Sequence, residues 1–368
     1  MTIIYRGVSE KMYKQLNGKL TPVGNEIKIT LTRGDFSENE SILRGQHFDR
    51  VPSERNTARG HQMKSGIHGG CFISTTKNYE EAVKFATNNG TTDGFIVKCN
   101  TSGARIWATY YGGTNGDEIA DITTNASGDI YFAGTTGSTA SISTPGSFQP
   151  VRSELLDGFL VKFNSAGSRI WGTYYGGNEI DVCYSIAEDT DGNVFIGGST
   201  RSGNGIASPG AWDTSYDGDT DGFLAKFNPS GGRVWGTYYG GTEVDYFNDI
   251  AIDNNNNLVG VGATASTNNI ASGGFDNSNG GGYDAFVVKL TNNGTRIWGT
   301  YFGGVGFDQG YAIACDINNN IYAGGYAQSN GLSFQGFQNT NNGGDAFLVK
   351  FNSGGSRIWS SYYGIDNV

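Results

Sequence analysis

Three short stretches carry oxygen-bearing side chains at the spacing of a calcium loop: Asp189-Thr-Asp191-Gly-Asn193, Asp253-Asn-Asn255-Asn-Asn257 and Asp316-Ile-Asn318-Asn-Asn320. A Ca²⁺ loop uses ligands at positions 1, 3 and 5, and it also needs a terminal bidentate Glu. That Glu is absent from all three stretches. The same residues build Asx turns, so polar β-turns are expected here and no metal site. A different pattern stands in CFISTTKNYEEAVKFA, residues 71–86. There an apolar run ends in Ser74, Thr75 and Thr76, and a helical pattern follows at once. The four cysteines, Cys71, Cys99, Cys183 and Cys315, have no CxxC spacing. They read as free, mostly buried thiols of a reduced compartment rather than as a zinc or disulfide framework.

Charge divides the chain. Residues 1–92 hold 13 Lys and Arg against 9 Asp and Glu, a net of +4, whereas residues 93–368 hold 12 against 26, a net of −14. All three His and all three Met precede residue 92, and all six Trp follow it. Two domains are therefore expected, 1–92 and 93–368. The acidic bulk of the second disfavours nucleic acid and anionic membranes as partners. The basic first segment suits a phosphate-bearing ligand, although solvated surface explains the same charges. No apolar run is long enough to span a membrane, and the N-terminus lacks the apolar core of a signal peptide. A cytoplasmic location in the producing cell is expected, with any export by a non-classical route.

Most of the chain repeats one phrase. DGFIVKCNTSGARIWATYYGG starts at Asp93, and related phrases start at Asp157, Asp221, Asp284 and Asp345. Their tryptophans, Trp107, Trp171, Trp235, Trp298 and Trp359, are spaced by 64, 64, 63 and 61 residues. Each unit holds four short strand patterns joined by polar turns such as Ser-Ala-Gly and Asp-Gly. Large side chains on both faces of RIWGTYY need cover on both sides, which radially stacked sheets provide. The expected fold is mainly β: a small β-propeller of four or five blades of four antiparallel strands. Starting each blade at the IAxD strand leaves four complete blades, with hairpin 93–111 over. The ring then has four blades, or five with one completed by the N-terminal segment.

The repeat wording resembles the bacterial SBBP propeller repeats over residues 93–368. Trp in RIW replaces that family's usual smaller residue. The Asp residues that recur once per blade, Asp93, Asp157, Asp221, Asp284 and Asp345, and again Asp117, Asp181, Asp245 and Asp308, read as architectural. Binding is expected in the loops that differ, 136–156, 201–220 and 265–283, whose Ser, Asn and aromatic content suits a protein or a glycan.

The N-terminal segment reads as α+β. Residues 3–7 form a strand ending in Arg6 and Gly7, Ser9 opens a helix to about Gly18, and Lys28–Thr32 alternates like a strand. Phe72-Ile73-Ser74 is a strand, Asn78 caps a helix through Thr87, and Gly94–Cys99 is a strand again.

This order resembles the toxin-like branch of the mono-ADP-ribosyltransferases. Tyr5-Arg6-Gly7, Ser74-Thr75-Thr76 and Ala82-Val-Lys-Phe85-Ala86 match its motifs, and Asn56-Thr-Ala-Arg-Gly-His61 is similar to the segment preceding its Ser-Thr-Ser/Thr strand. The resemblance covers about residues 1–100 and implies NAD⁺ as substrate. It implies that Arg6 meets the pyrophosphate, that Ser74 holds the site's geometry, and that Thr75, His61 and Tyr79 or Phe85 complete the pocket, an aromatic flanking the nicotinamide. The family's Glu, on a later strand, bonds the ribose and stabilises the cation formed as nicotinamide leaves. Glu118 is the only Glu in the expected window, but its neighbour Asp117 is a repeat Asp. Either Glu118 is shared between domains, or the transferase domain is truncated and inactive. Gly94–Cys99 fits both patterns, so one strand can serve two domains.

Two functional readings follow. One is a toxin-like bacterial effector, a transferase or NAD glycohydrolase carried on a propeller and delivered by a specialised secretion or contractile injection system. The other is a non-enzymatic protein- or glycan-binding propeller with a degenerate transferase-like cap.

Overall fold

The computed structural model describes residues 93–364 and, before them, the strand backbones of β1 (Ile4–Tyr5) and β2 (Cys71–Ile73). The expected helices at 9–18 and 78–87 and the strand at 28–32 lie outside the described residues. Two compact units divide the chain: residues 1–83 with 96–108, and residues 84–95 with 109–368. No helix occurs among the described residues.

The second unit is built from four four-stranded antiparallel sheets. The first blade is β5 (Asp117–Thr124), β6 (Ile130–Thr136), β7 (Asp157–Phe163) and β8 (Arg169–Tyr175). The second is β9 (Asp181–Glu188), β10 (Val194–Thr200), β11 (Asp221–Phe227) and β12 (Arg233–Tyr239). The third is β13 (Asp245–Ile252), β14 (Leu258–Thr264), β15 (Asp284–Leu290) and β16 (Arg296–Phe302). The fourth is β17 (Asp308–Cys315), β18 (Ile321–Ala327), β19 (Asp345–Phe351) and β20 (Arg357–Tyr363). Each blade thus opens on the strand after Gly-Gly and closes on the RIW strand.

Local chemistry sets the hairpins. Between β7 and β8, Asn164 Oδ1 accepts from the N–H groups of Ala166 and Ser168, and Gly167 takes φ +86°. That left-handed φ costs a glycine little, and the register shifts at Lys162/Phe163 as in a bulged hairpin. The same Asn-x-x-Gly turn closes the outer hairpin of the second and fourth blades, at Asn228 and Asn352.

Alternation then splits each sheet into two apolar faces. Phe223, Ala225 and Phe227 of the second blade share a core with Tyr131, Leu160 and Trp171 of the first. Three of the repeat tryptophans also reach forward. Trp171, Trp235 and Trp298 donate their indole N–H to the carbonyls of Pro229, Asn292 and Ser353 in the outer hairpin turn of the following blade, at 3.1, 3.0 and 3.1 Å. The large residue in RIW is therefore a clamp between blades, which a smaller side chain could not reach to form.

Tyr175 adds a second forward bond. Its buried hydroxyl donates to the Ile206 carbonyl at 2.8 Å, an oxygen that also accepts from Arg233 Nη1 at 2.9 Å. Because Arg233 keeps that carbonyl satisfied, Tyr175→Phe is expected to cost only about 1 kcal/mol, read as a lower midpoint in urea unfolding at unchanged slope. A loss above about 3 kcal/mol would mean that the hydroxyl supports more than this bond.

Among the described residues the blades contact one another in chain order, through β5, β9, β13 and β17. On the fourth blade Leu348 is 43% exposed, while its counterparts Leu160 and Leu224 are at 0%. Among the described residues the first blade also packs against Tyr111, whose ring meets Phe132, Phe159 and Phe163.

A fifth sheet has the order β1-β2-β3-β4, with β3 (Gly94–Cys99) and β4 (Arg105–Tyr111) supplied by the leftover hairpin. It takes two strands from each side of residue 92. Its β1 runs parallel to β2, with Ile4 opposite Phe72 and Tyr5 opposite Ile73, and β2 runs antiparallel to β3. The complete blades contain no parallel pair.

Candidate functional site

The residues that resemble a transferase site fall on both sides of β1 and β2. Arg6, His61, Ser74, Thr75, Tyr79 and Phe85 lie outside the described residues. What is described is the pairing of the strands that lead to them. Tyr5 precedes Arg6, Ile73 precedes Ser74, and Tyr5 and Ile73 are register partners in the parallel pair. A parallel pair needs a crossover connection, and residues 6–70 provide the length.

Glu118 is described. It is the second residue of β5, opposite Thr135, with its side chain exposed. Its neighbour Asp117 is buried and accepts hydrogen bonds from the Gly113 N–H at 2.8 Å, from Ser138 Oγ at 2.8 Å, and from Thr136 Oγ1. Successive strand residues point to opposite faces, so one strand end carries an architectural carboxylate inward and an exposed one outward.

The Asp residues that recur after Gly-Gly have the same inward role. Asp181 accepts from the Gly177 N–H and Ser202 Oγ, and Asp245 from the Gly241 N–H and Ser266 Oγ. Each faces an Asp that opens the third strand of the blade before it. A methyl group on Gly240 would lie 2.7 Å from Asp221 Oδ1 and 2.9 Å from Asp245 Oδ2, so only glycine fits between the two carboxylates. The pairs Asp157/Asp181 and Asp284/Asp308 flank Gly176 and Gly303 in the same way. Burial, with the neighbouring Asp245 carboxylate adding to it, pushes Asp221 up to about 7. Burial likewise raises Asp284 to about 7, and Asp157, Asp181 and Asp245 to about 6.

The acidic turns are occupied by the protein itself. Asp189, Asp253 and Asp316 each accept two turn N–H groups through Oδ1. Each also pairs with the lysine of its own blade's third strand: Lys226 at 3.6 Å, Lys289 at 2.8 Å and Lys350 at 3.5 Å. For Asp253, burial pushes the carboxyl up, but the bonds from Lys289 and Asn257 outweigh it and hold it below the usual range. Among the described residues no group of three or more His, Cys, Asp or Glu is placed to hold a metal ion.

Two features escaped the sequence reading. Asp121 and Asp249, on first strands, reach the following blade, where they accept from the N–H groups of Ile186 and Ile313 at 3.0 and 2.9 Å, and Ser185 Oγ bonds both. Their recurrence 128 residues apart, two repeats, was the available signal. The second feature lies in the variable loops. Phe148, Trp212 and Phe275 are stacked under the guanidinium groups of Arg233, Arg296 and Arg357, 4.5, 4.4 and 4.2 Å from the ring centres. These loop aromatics already cap the next blade's arginine. The corresponding place in the first blade is an opening of about 280 Å³ lined by Tyr111, Ser141, Phe163 and Arg169. Among the described residues Cys99 and Cys183 are buried, Cys315 is half-buried, and none of the three is in a disulfide.

Two family models match this chain. One, described as NarE, covers residues 3–105 and so runs past residue 92 through all of β3. The other, described as a beta-propeller repeat (SBBP), covers residues 170–206 and 297–333. The regulatory protein FlaEY of Caulobacter vibrioides is 24% identical over 301 residues, 79% of this chain and 30% of that protein. A WD repeat-containing protein of Acanthamoeba polyphaga mimivirus is 24% identical over 246 residues, 55% of this chain and 17% of that protein. The chain thus spans less than a third of the length of the curated relatives it matches. Among solved structures, a protein of unknown function from Bacteroides caccae aligns at 12% identity and TM-score 0.30, covering 73% of this chain and 90% of that one. A member of the duf4221 family from Bacteroides vulgatus aligns at 13% and 0.33, covering 75% and 76%. The chain thus resembles NarE, an ADP-ribosyltransferase-like family, over residues 3–105, and carries matches to SBBP β-propeller repeats at 170–206 and 297–333.

Proposed function

We propose that this chain is a toxin-like effector in which the NarE-like segment uses NAD⁺ and the propeller carries it. The observation behind this reading is the parallel pair β1–β2, which joins the two segments that hold Tyr5-Arg6-Gly7 and Ser74-Thr75-Thr76. The β2–β3 pairing adds to it, since β3 is also the first strand of the repeat phrase. One strand then serves both patterns, with residues 1–92 as the transferase portion and 93–368 as the propeller.

In this reading Arg6 grips the pyrophosphate, and Thr75, His61 and Tyr79 or Phe85 frame the nicotinamide end around Ser74. The bond between ribose C1′ and the nicotinamide nitrogen breaks, and nicotinamide leaves with the electron pair. The carboxylate of Glu118 stabilises the positive charge left on the ribose. A lone pair of the acceptor forms the new bond at C1′, and the acceptor's proton passes to solvent. Water as acceptor gives a glycohydrolase, and a protein side chain gives a transferase. Export by a specialised secretion or contractile injection system belongs to the same proposal.

Isothermal titration of NAD⁺, with nicotinamide release followed in the same sample, tests this. Glu118→Gln is expected to keep binding and to lower release about 10²–10³-fold, the usual loss when one transition-state contact is removed. Arg6→Ala is expected to abolish binding. Binding without release would place the acid elsewhere or mark an inactive domain. Absence of binding favours the second reading, a binding propeller with a degenerate cap. That reading is motivated by Glu118 lying on the first strand of a repeat blade, next to an architectural Asp.

A further inference from the structure

We infer that Cys71 and Cys99 are a redox pair, which closes as a cross-strand disulfide between β2 and β3 in an oxidising compartment and opens in a reducing one. The two residues are register partners in the antiparallel pair β2–β3, with Phe72 opposite Lys98 beside them. Both belong to the same compact unit, the one holding residues 1–83 and 96–108. Directly opposite residues of an antiparallel pair share a face, with Cα atoms about 5.5 or about 4.5 Å apart according to their place in the ladder. Both spacings fall inside the roughly 4.4–6.8 Å over which a disulfide closes without backbone movement.

The repeats show what this position holds elsewhere. Cys99 ends the first strand of the repeat phrase, and the other copies end it on Phe163, Phe227, Leu290 and Phe351. Their register partners are Ile130, Val194, Leu258 and Ile321, so in each complete blade the place is an apolar pair. In the copy that pairs with β2 it is a cysteine, and the residue opposite is a cysteine too. Cysteine buries less apolar area than the Phe or Leu of the other copies, so packing alone does not select it. Neither other cysteine has a cysteine in register: Cys183 stands opposite Gly198, and Cys315 opposite Ile321. Burial raises both thiols, Cys315 to about 12, which keeps them protonated and slow to exchange.

A small disulfide such as oxidised glutathione suffices as oxidant. The thiolate of one cysteine attacks a glutathione sulfur, the S–S bond of the oxidant breaks, and one glutathione thiolate leaves. The thiolate of the other cysteine then attacks the protein sulfur of the mixed disulfide and releases the second glutathione. The pair loses two electrons and two protons, and the oxidant is reduced to two thiols. A reducing compartment runs the exchange backwards. The loop so closed, residues 71–99, holds Ser74, Thr75 and Thr76, and β2 ends at Ile73 directly before them. Oxidation therefore pins the strand that leads into this motif. The pairing is independent of whether the segment uses NAD⁺.

The test incubates the reduced full chain with oxidised glutathione, blocks remaining thiols with N-ethylmaleimide after unfolding, and maps the digest without reductant. A peptide pair joining Cys71 to Cys99 is expected, with Cys183 and Cys315 blocked. Hydrogen exchange of the β2 and β3 amides should slow at least about tenfold on oxidation and recover with dithiothreitol. Cys99→Phe, which restores the residue of the other copies, should give no linked pair and no slowing. Cys71→Ser should do the same and serves as the second variant. Cys71 and Cys99 both blocked after oxidation would overturn the inference. So would a bond from either of them to Cys183, to Cys315 or to a second chain, because the register would then not direct the pairing.

Discussion

Replacing Lys289 by Met is expected to lower the melting temperature of the propeller by about 10 °C. Lys289 Nζ stands 2.8 Å from Asp253 Oδ2, and the two side chains are 4% and 0% exposed. The ammonium also donates to the Ser353 carbonyl of the next blade at 3.3 Å. Removing it leaves a buried carboxylate with only amide donors from Asn255 and Asn257. Breaking a buried pair from one side costs about 3–5 kcal/mol, because the remaining charge is desolvated without its partner. A domain of this size loses about 2–4 °C per kcal/mol, which gives the expected shift. The double variant Lys289→Met/Asp253→Asn should regain at least half of the loss, since no charge is then stranded. Thermal melts of the two singles and the double close the cycle. Lys350→Met is the contrast: its pair with Asp316 is 3.5 Å long and partly exposed, and its melt should overlay the parent. If Lys289→Met also overlays the parent, the central lysines are not stabilising charges.

Stability is also expected to fall as pH rises from about 5 to 8, opposite to a protein held by exposed ion pairs. Asp157/Asp181, Asp221/Asp245 and Asp284/Asp308 each place two buried carboxylates about one glycine. In the middle pair Asp245 accepts from Gly241, Ser266 and, through its carboxyl group, Thr264, so it is the better place for the negative charge. Asp221 has a backbone N–H from Asp217 on Oδ2 and no donor on Oδ1, so it is the better place for a proton. Burial raises Asp221 to about 7 and Asp245 to about 6, and the two titrate as a pair.

A carboxyl raised on folding holds its proton more tightly in the native state than in the unfolded one. Its stabilising contribution is complete below the unfolded value, near 4, and is lost as pH rises through 6–7. Within that window each retained proton is worth up to about 1.4 kcal/mol per pH unit. Asp189, Asp253 and Asp316 are shifted the other way, so their contribution is lost as pH falls below about 4. The optimum should therefore lie near pH 5. Tm measured at constant ionic strength should be several degrees higher at pH 5 than at pH 8. Asp221→Asn, which supplies a neutral donor beside Asp245, should flatten part of that slope. A Tm that rises from pH 5 to 8 would mean that the pairs are not proton-sharing.

Both results draw on residues that repeat once per blade, and the sequence marks them only as architectural. The Trp period of 61–64 residues and the four strand patterns per unit were legible because alternation and turn residues are local. The span of β3 follows directly from its apolar run, and so does the Asx character of the acidic turns. The transferase-like motifs were legible as wording, and the NarE match spans the same segment. What such wording leaves open is pairing. That β1 would lie parallel to β2, and β2 beside the first strand of the repeat phrase, depends on contacts between residues far apart in the chain.

Composition, repeat period and turn chemistry were thus determined by the sequence alone, because each is fixed by residues within one strand or turn of one another. The tertiary structure decided what each repeated residue faces. Leu224 and Leu348 stand in nearly the same phrase, as do Trp235 and Trp359, yet one of each pair is buried and bonded while the other is not. Among the described residues, the difference is a following blade. Burial and hydrogen-bond satisfaction belong to the contact rather than to the residue, and so they could be read only in three dimensions.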